Sequence, residues 1–306
     1  MKVVFLLTPR LHLLDLAGPA QVFSTAAGLG YPYELAYVSE QDEVTAAQGV
    51  RLRGSTTWPE LTAEDLILVP GGGSPTLAAG PKPQGPTLAR LVAHHAAGGT
   101  VASVCSGADV LGQACLLDGR RCTTHHDLQD DLARRYPRAR VERDVLFVLD
   151  DRVVTSAGIA SGIDLALHLV AMRHGPAAAA RVARDMVVYA RRTGGESQNS
   201  AMLRYRWHLR DAVHRAQDRI DARYAEPLRL SDLAAVVGVS ERTLTRQFVE
   251  STGLTPLRYQ QMLRIERAEH LIGHGATVEA AAHEVGFADA RMLRRLRARV
   301  PLAEIK

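Results

Sequence analysis

Cysteine is scarce in this sequence, and its arrangement excludes two classes of small fold. Only three cysteines, Cys105, Cys115 and Cys122, occur in 306 residues, and none forms a CxxC pair. Such a set favours neither a disulfide framework nor a zinc knuckle. Cys115 lies on an apolar helical face and Cys122 at a strand entry, so we expect both to be small buried residues without chemistry.

Long hydrophobic runs are also missing. No window approaches the roughly 18 uninterrupted apolar residues of a membrane-spanning helix. The opening segment MKVVFLLTPR has a short apolar run that ends at Pro9, which favours a buried first strand over a signal peptide. These features predict a cytoplasmic protein without a membrane partner.

Charge of one sign dominates only locally. The chain has 37 Lys and Arg against 33 Asp and Glu, a net charge of +4, and 46% of its residues are hydrophobic. This balance is typical of a globular protein and compatible with a nucleic-acid partner. Residues 291–300, RMLRRLRARV, contain five arginines. The basic signal is therefore concentrated near the end of the chain.

The length and the local patterns predict two domains. Over residues 1–190, β-branched runs such as DLILVPGGG and TVASVC alternate with helical segments, which predicts an α/β domain with a mostly parallel sheet. Residues 191–208 begin with RRTGGESQNS, a composition typical of a linker. Over residues 209–306, short helices separated by glycine turns predict an all-α domain.

The second domain repeats one pattern. In LRLSDLAAVVGVSERTLTRQF, Ser231 and Ser240 are placed as N-caps of two helices, and Ala234 and Gly238 have the spacing of a close helix contact and a turn. The same alanine–glycine spacing returns in VEAAAHEVGF, after a long intervening helix. A small helical bundle that binds protein is the plain alternative. Two matched units, each followed by arginines, favour two helix-turn-helix units that bind DNA.

These motifs also resemble known families. Residues 209–306 are similar to the AraC/XylS-type DNA-binding domain through LSDLAAVVGVSERTLTRQF, GLTPLRYQQMLRIERAEHLI and VEAAAHEVGF. The first half resembles the ThiJ/PfpI, or class I glutamine amidotransferase-like, domain through LLDLAGP, LVPGGG, SVCSGA, LLDGRRCTTHH and TSAGIASGIDLAL. In this order the halves resemble the GlxA family of transcriptional regulators. The resemblance implies a flavodoxin-like sandwich, double-stranded DNA as a partner, a homodimer, and a small effector, often nitrogen-containing.

Cys105 is the first candidate for chemistry. A strand runs directly into Cys105-Ser106-Gly107 and a helix, which is the pattern of a nucleophile elbow. The helix N-terminus behind the sulfur is expected to lower the pKa of the thiol. A cysteine hydrolase also needs a histidine base, and His125 and His126 are the nearest candidates. Either histidine could instead cap a helix or contact a ligand.

Other candidate residues follow the ends of strands. Asp15 matches the acidic residue that ThiJ/PfpI-like proteins place beside the elbow, although it could also cap a helix. The amides of Gly71, Gly72 and Gly73 could receive a carboxylate or an oxyanion, or form only a turn. Strand ends of an open α/β sheet meet at one edge. The candidate ligand-binding residues are Asp15, Gly71, Gly72, Cys105, Ser106 and His125, of which Cys105, Asp15 and His125 are also the candidate catalytic residues. We expect no cofactor and no metal.

The arginine-bearing helices provide the candidate DNA contacts. On the helix after Ser240, Leu244 and Phe248 must face the core. The positions left outside, which match base-facing positions of AraC-type helices, are Arg242, Thr245 and Arg246. Arginine can contact guanine bidentately, with discrimination of about 1–3 kcal/mol, or contact only phosphate.

The last helix is less regular. Aligning Leu293 with Leu244 brings Arg297 to the core position of Phe248, whereas a shift of one residue brings Leu296 there. Both alignments stay open at this stage. The candidate DNA contacts of this unit are Arg291, Arg294 and Arg295, and we expect them to contact the backbone more than the bases.

Three functions compete. The sequence favours a DNA-binding transcriptional regulator whose first domain senses a small metabolite without catalysis. The alternative is a cysteine-dependent enzyme, such as an isonitrile hydratase, an amidase or a glyoxalase-like protein, with an attached DNA-binding domain. The third possibility is a DNA-binding protein whose first domain serves only to dimerise. The fold alone cannot decide among them.

Overall fold

A computed structural model describes residues 1–73, 76–188, 192–195, 198, 205–206, 208–273 and 275–298. The chain divides into two compact units, Met1–Gln198 and Asn199–Lys306. Much of the predicted linker, residues 191–208, lies outside the described residues, so the domain boundaries stay a prediction.

A six-stranded sheet is the centre of the first unit, with strand order β2-β1-β5-β6-β10-β9. All neighbouring pairs are parallel except β9 and β10. The flavodoxin-like, mostly parallel sheet that the sequence predicts is confirmed. The strands of the unit are β1 (Lys2–Leu7), β2 (Glu34–Ser39), β3 (Glu43–Thr45), β4 (Arg51–Arg53), β5 (Leu66–Val69), β6 (Thr100–Val104), β7 (Arg121–Cys122), β8 (Arg140–Val141), β9 (Phe147–Asp150) and β10 (Val153–Ser156).

Helices cover both faces of this sheet. Successive residues of a strand point to opposite faces, and accordingly Val4 and Phe5 belong to two different hydrophobic cores. Phe5 packs on the side of Phe23 and Leu165, and Val4 on the side of Leu111. Burial on both faces explains why the strands are almost continuously apolar. The helices are α1 (Leu13–Gly28), α2 (Gly85–Ala96), α3 (Ala108–Gln113), α4 (Gln129–Arg135), α5 (Ser161–His174) and α6 (Pro176–Asp185).

The second unit contains helices and no strands among its described residues. Its two helix-turn-helix units, α8–α9 and α11–α12, are joined by α10, and each has its own hydrophobic core. Gly238 and Gly286 have positive φ values of 75° and 82° at the two turns, which explains the repeated glycine. The helices are α7 (Asp211–Ala222), α8 (Leu230–Val237), α9 (Glu241–Thr252), α10 (Pro256–Gly273), α11 (Val278–Glu284) and α12 (Ala290–Arg297).

Of the two predicted helix N-caps, Ser240 is confirmed and Ser231 is not. Ser240 caps α9, because its side chain accepts a hydrogen bond from the amide of Thr243. The prediction for Ser231 is wrong: α8 already begins at Leu230, and the Ser231 hydroxyl faces the adjacent Asp232 carboxylate. Among the described residues, no helix is long and apolar enough to cross a membrane.

The last helix, α12, packs as predicted by the alignment that is shifted by one residue. Leu293 and Leu296 are both buried in the core of the second helix-turn-helix unit. Arg297 is half-buried and forms an ion pair with Glu269 of α10. Leu296 therefore takes the core position, and Arg297 stays at its margin. Residues 299–306 lie outside the described part of the chain.

Candidate functional site

Cys105 lies at a sharp turn between β6 and α3. Its φ of 55° is left-handed, a conformation that costs a non-glycine residue on the order of 1–3 kcal/mol and persists only where neighbours enforce it. One such neighbour is Thr124, whose hydroxyl donates to the Cys105 carbonyl oxygen at 2.8 Å. The sequence prediction of an elbow at this position is confirmed.

Two glycines bring main chain against this cysteine. A Cβ atom added to Gly158 would lie 2.3 Å from the Cβ of Cys105, and one added to Gly71 would lie 2.7 Å from the same atom. Neither position therefore accepts a side chain without moving the elbow. Sequence reasoning missed Gly158, although it follows β10 at the same sheet edge, within the quoted motif TSAGIASGIDLAL.

Asp15 lies beside the thiol in the first turn of α1 and is fully buried. Its Oδ1 accepts a hydrogen bond from the amide of Ile159 at 2.7 Å. Its Oδ2 has no hydrogen-bond partner among the described residues, and its polar neighbours are the Cys105 thiol and Gly71. Burial raises the pKa of the Asp15 carboxyl above its usual range. Asp15 does not cap α1, because the N-cap residue of that helix is His12.

The thiol does not have the lowered pKa that its sequence position predicts. Burial, and secondarily the nearby Asp15 carboxyl, raises the pKa of Cys105 to about 12. The Ser106 amide at the start of the turn favours the thiolate, as expected of a helix N-terminus, but its effect is smaller than that of burial. The prediction of a lowered pKa is wrong for this physical reason.

Two of the three glycine amides after β5, those of Gly72 and Gly73, already donate hydrogen bonds within the protein. The Gly72 amide donates to the Ser106 hydroxyl at 2.8 Å, and that hydroxyl donates back to the Gly72 carbonyl at 3.2 Å. The Gly73 amide donates to the Arg10 carbonyl at 2.9 Å. These two amides are therefore committed to the protein and not available to an oxyanion. The two hydrogen bonds between Gly72 and Ser106 hold these residues together in the wall of the site.

His125 and His126 share one partner, the carboxylate of Asp127. His125 Nδ1 lies 3.6 Å from Asp127 Oδ2, and His126 Nε2 lies 3.4 Å from Asp127 Oδ1. Burial and the adjacent His126 lower the pKa of His125. In the described part of the chain, neither imidazole is hydrogen-bonded to the Cys105 thiol. The structure thus brings Asp15 to the cysteine but not a histidine base.

The other two cysteines differ from each other. Cys122 is fully buried, as predicted. Cys115 is exposed, so the prediction of a buried residue is wrong. The reason is local: α3 ends at Gln113, and Cys115 follows in a left-handed turn with φ of 57° instead of continuing the apolar helical face.

The predicted DNA-contacting side chains lie on the outer faces of α9 and α12. Leu244 and Phe248 are fully buried, as predicted, so the opposite face of α9 is free to carry polar residues. Arg242 and Arg246 are exposed there and Thr245 is half-buried. On α12 the exposed candidates are Arg291, Arg294 and Arg295. Of these, Arg294 pairs with Glu279 of α11 at 2.6 Å.

Both units match known families. The model of the DJ-1/PfpI family matches residues 1–172, more than half of the chain. The chain belongs to the DJ-1/PfpI family. A helix-turn-helix domain model matches residues 233–300. The chain thus joins a DJ-1/PfpI domain to a DNA-binding domain.

Curated relatives include transcriptional regulators and an enzyme. The regulator CdhR from Pseudomonas aeruginosa is 30% identical over 230 residues, 75% of this chain and 67% of its own. The regulator GlxA from Rhizobium meliloti is 29% identical over 72% of this chain and 67% of its own. An isonitrile hydratase from Pseudomonas putida is 35% identical over 55% of this chain and 70% of its own. The DJ-1/PfpI domain therefore occurs in regulators and in an enzyme.

A solved structure agrees with this assignment. An AraC family transcriptional regulator from Pseudomonas putida superposes with a TM-score of 0.52 and 26% identity, over 60% of this chain and 98% of its own. The resemblance to GlxA-type regulators is confirmed, and this DJ-1/PfpI family member is a helix-turn-helix transcriptional regulator.

Proposed function

We propose that this DNA-binding regulator senses a small metabolite at the sheet edge around Asp15 and Cys105, and that the site binds the metabolite without turning it over. The observation that carries the proposal is Asp15 Oδ2, a buried oxygen beside the Cys105 thiol and the Gly71 main chain that has no hydrogen bond of ordinary geometry among the described residues. Leaving such an atom unpaired costs about 1–3 kcal/mol, which a ligand that hydrogen-bonds to it would recover.

The chemistry of Asp15 suits a ligand with nitrogen, which is the effector class that the resemblance to GlxA-type regulators implies. A carboxylate accepts hydrogen bonds from amines, amides and ammonium groups, and in its protonated form it can also donate one. Gly71 and Gly158 place main chain beside the thiol, and Gly71 also lies beside the carboxyl, so no side chain from these two positions covers either group. His125, which follows Thr124 at the same edge, is the remaining proposed contact. We therefore propose a small nitrogen-containing metabolite as the effector.

The state of Cys105 supports binding over catalysis. A cysteine hydrolase attacks through the thiolate and needs a base to generate it. Here burial raises the pKa of the thiol to about 12, and both nearby imidazoles face Asp127. The relationship to an isonitrile hydratase means that turnover must nevertheless be measured directly.

The DNA contacts are proposed for the outer faces of the two recognition helices. Arg242, Thr245 and Arg246 of α9 would reach base edges. Arg294 of α12 pairs with Glu279 at 2.6 Å, whereas Arg246 of α9 lies 3.9 Å from Glu250, so Arg294 has the closer partner to give up, and we propose a backbone-contacting role for the second helix-turn-helix unit. The other proposed contacts of α12 are Arg291 and Arg295. A homodimer and a cytoplasmic location also stay proposals.

A metabolite screen tests the proposed function. The full chain is screened by thermal shift against amino acids, amines and quaternary ammonium compounds, and a ligand at 100 times its dissociation constant should stabilise it by about 2.7 kcal/mol. Hits are then tested for their effect on DNA binding and for chemical change. A hit that is converted in a Cys105-dependent reaction would favour the enzyme alternative. A hit that alters DNA binding and is recovered unchanged would support the sensor.

A further inference from the structure

A second group of donor atoms lies next to the elbow, in the turn that precedes α4. Two consecutive histidines and the following aspartate each offer a ligand atom, and these atoms all lie within 4.8 Å of one another. We propose that His125, His126 and Asp127 bind a divalent transition-metal ion of the Zn²⁺ class. This proposal shares His125 with the proposed effector site, but it does not depend on the effector.

The donor atoms are close enough to converge on one tetrahedral ion. Ligand atoms about 2.0–2.1 Å from a tetrahedral Zn²⁺ ion are separated from one another by roughly 3.3–3.4 Å. His126 Nε2 and His125 Nδ1 lie 3.4 Å and 3.6 Å from the two Asp127 carboxylate oxygens. The two imidazole rings are tilted by 35° to each other, with centroids 4.1 Å apart. Each histidine lies near a different Asp127 oxygen, so side-chain rotation must bring both imidazole nitrogens and one carboxylate oxygen around the ion, starting from atoms within 4.8 Å of one another.

The backbone of this turn is fixed while its side chains stay accessible. The Leu128 amide donates to the His125 carbonyl at 2.8 Å, and the buried Gln129 side chain donates to the Thr124 carbonyl at 3.3 Å. The side chains of His125, His126 and Asp127 are 26%, 39% and 74% exposed. A metal ion can thus enter from solvent and meet donors whose main chain is already ordered.

The donor set selects the kind of metal. Two imidazoles and one carboxylate suit Zn²⁺, Ni²⁺ or Cu²⁺, whereas Mg²⁺ and Ca²⁺ prefer oxygen ligands alone. Three protein ligands leave a coordination position open to water or to a small ligand. The hydrogen bond from Thr124 to the Cys105 carbonyl joins this turn to the elbow. The ion would therefore lie at the sheet edge that holds Asp15 and Cys105.

Metal titration of the full chain tests the site. Chelator-treated protein is titrated with Zn²⁺ in competition with a chromophoric chelator, in a Cys115→Ser background, because the exposed Cys115 thiol is a competing donor. We expect one Zn²⁺ per chain. His126→Gln and Asp127→Asn should each weaken binding at least about tenfold, the loss typical of even an outer-shell substitution. His283→Gln, at an exposed histidine of the second unit, is the matched control and should bind Zn²⁺ unchanged.

The outcomes separate this site from adventitious binding. Both test variants change exposed or half-exposed side chains, and circular dichroism will show that they fold. Equal affinity in the parent, His126→Gln and Asp127→Asn proteins would overturn the proposal, and so would the absence of saturable binding. A failure of the metabolite screen would leave this result unaffected, because Zn²⁺ alone is the probe.

Discussion

Arg264 of α10 donates a hydrogen bond to the carbonyl oxygen of Gly286, at the turn of the second helix-turn-helix unit, at 2.8 Å. The same guanidinium donates to the carbonyls of Tyr224 and Glu226, at 2.6 and 2.7 Å, in the segment between α7 and α8, just ahead of the first helix-turn-helix unit. It also stacks over Phe287. One side chain thus joins the segment ahead of the first helix-turn-helix unit to the turn of the second helix-turn-helix unit.

Arg264→Ala should therefore impair both stability and DNA recognition. It leaves the carbonyl of Gly286 without this donor, whereas the carbonyls of Tyr224 and Glu226 keep hydrogen bonds from the Gln260 side chain, so the expected loss of stability is about 1 kcal/mol. Arg264→Lys should restore little, because an ammonium lacks the planar fork of donors. Thermal unfolding and binding to a two-site operator measure these effects. Arg267→Ala, an exposed arginine on the same helix, is the control, and equal losses in both variants would contradict a joining role.

The three cysteines should react at very different rates. Cys115 is exposed, whereas Cys105 and Cys122 are buried with pKa values raised to about 12. A raised thiol pKa leaves almost no thiolate at neutral pH, and the thiolate fraction increases as the pH rises toward that value. A thiol-reactive dye on the native protein should therefore label one cysteine quickly. If Cys115→Ser still has a fast-reacting thiol at pH 7, the assignment of Cys105 as protonated is wrong.

Cys105→Ala should leave basal DNA binding intact and change only the response to the effector. The reason is that Cys105 lies in the first unit and the recognition helices lie in the second. Mobility shifts with and without effector measure this difference. The enzyme alternative instead predicts that the parent protein converts an isonitrile, amide or dicarbonyl at more than about 1 per second and that Cys105→Ala abolishes this activity.

Arg246→Ala should weaken specific DNA binding by about 1–3 kcal/mol, the value of one good bidentate base contact. Arg258→Ala should matter less, because Arg258 lies on α10 and not on a recognition helix. Competition between operator and random DNA must be measured at fixed salt, since phosphate contacts make affinity salt-dependent. A loss that is the same on both DNAs would make Arg246 a backbone contact.

Separated fragments should keep their own properties. Residues 201–306 should bind DNA, and residues 1–190 should fold alone, because the hydrophobic cores of the two units are distinct. Mobility shifts on both fragments, with circular dichroism as the folding control, test the proposed boundaries. DNA binding by residues 1–190 alone would be the contrary result.

The sequence predicts the features that depend on local patterns. Apolar runs of β-branched residues predict the sheet, and the spacing of Leu244 and Phe248 predicts the buried face of α9. The elbow at Cys105 is predictable because a strand, small residues and a helix follow one another directly.

Features that depend on distant neighbours were missed. The pKa of Cys105 is set by burial and by Asp15, which is 90 residues away in sequence, so the helix N-terminus alone gave the wrong direction. The role of Arg264 depends on carbonyls that only tertiary packing brings together. Cys115 was misplaced because α3 is only six residues long, and the sequence gives no strong stop signal at Gln113.

The close approach of Gly71 and Gly158 to Cys105 limits how this site can diversify. Where main chain forms the surface around a reactive group, there is no side chain to exchange, and any added carbon atom displaces the group itself. New ligand preferences must then arise in the surrounding side chains and turns. The elbow can in this way stay the same while the molecules that it meets change.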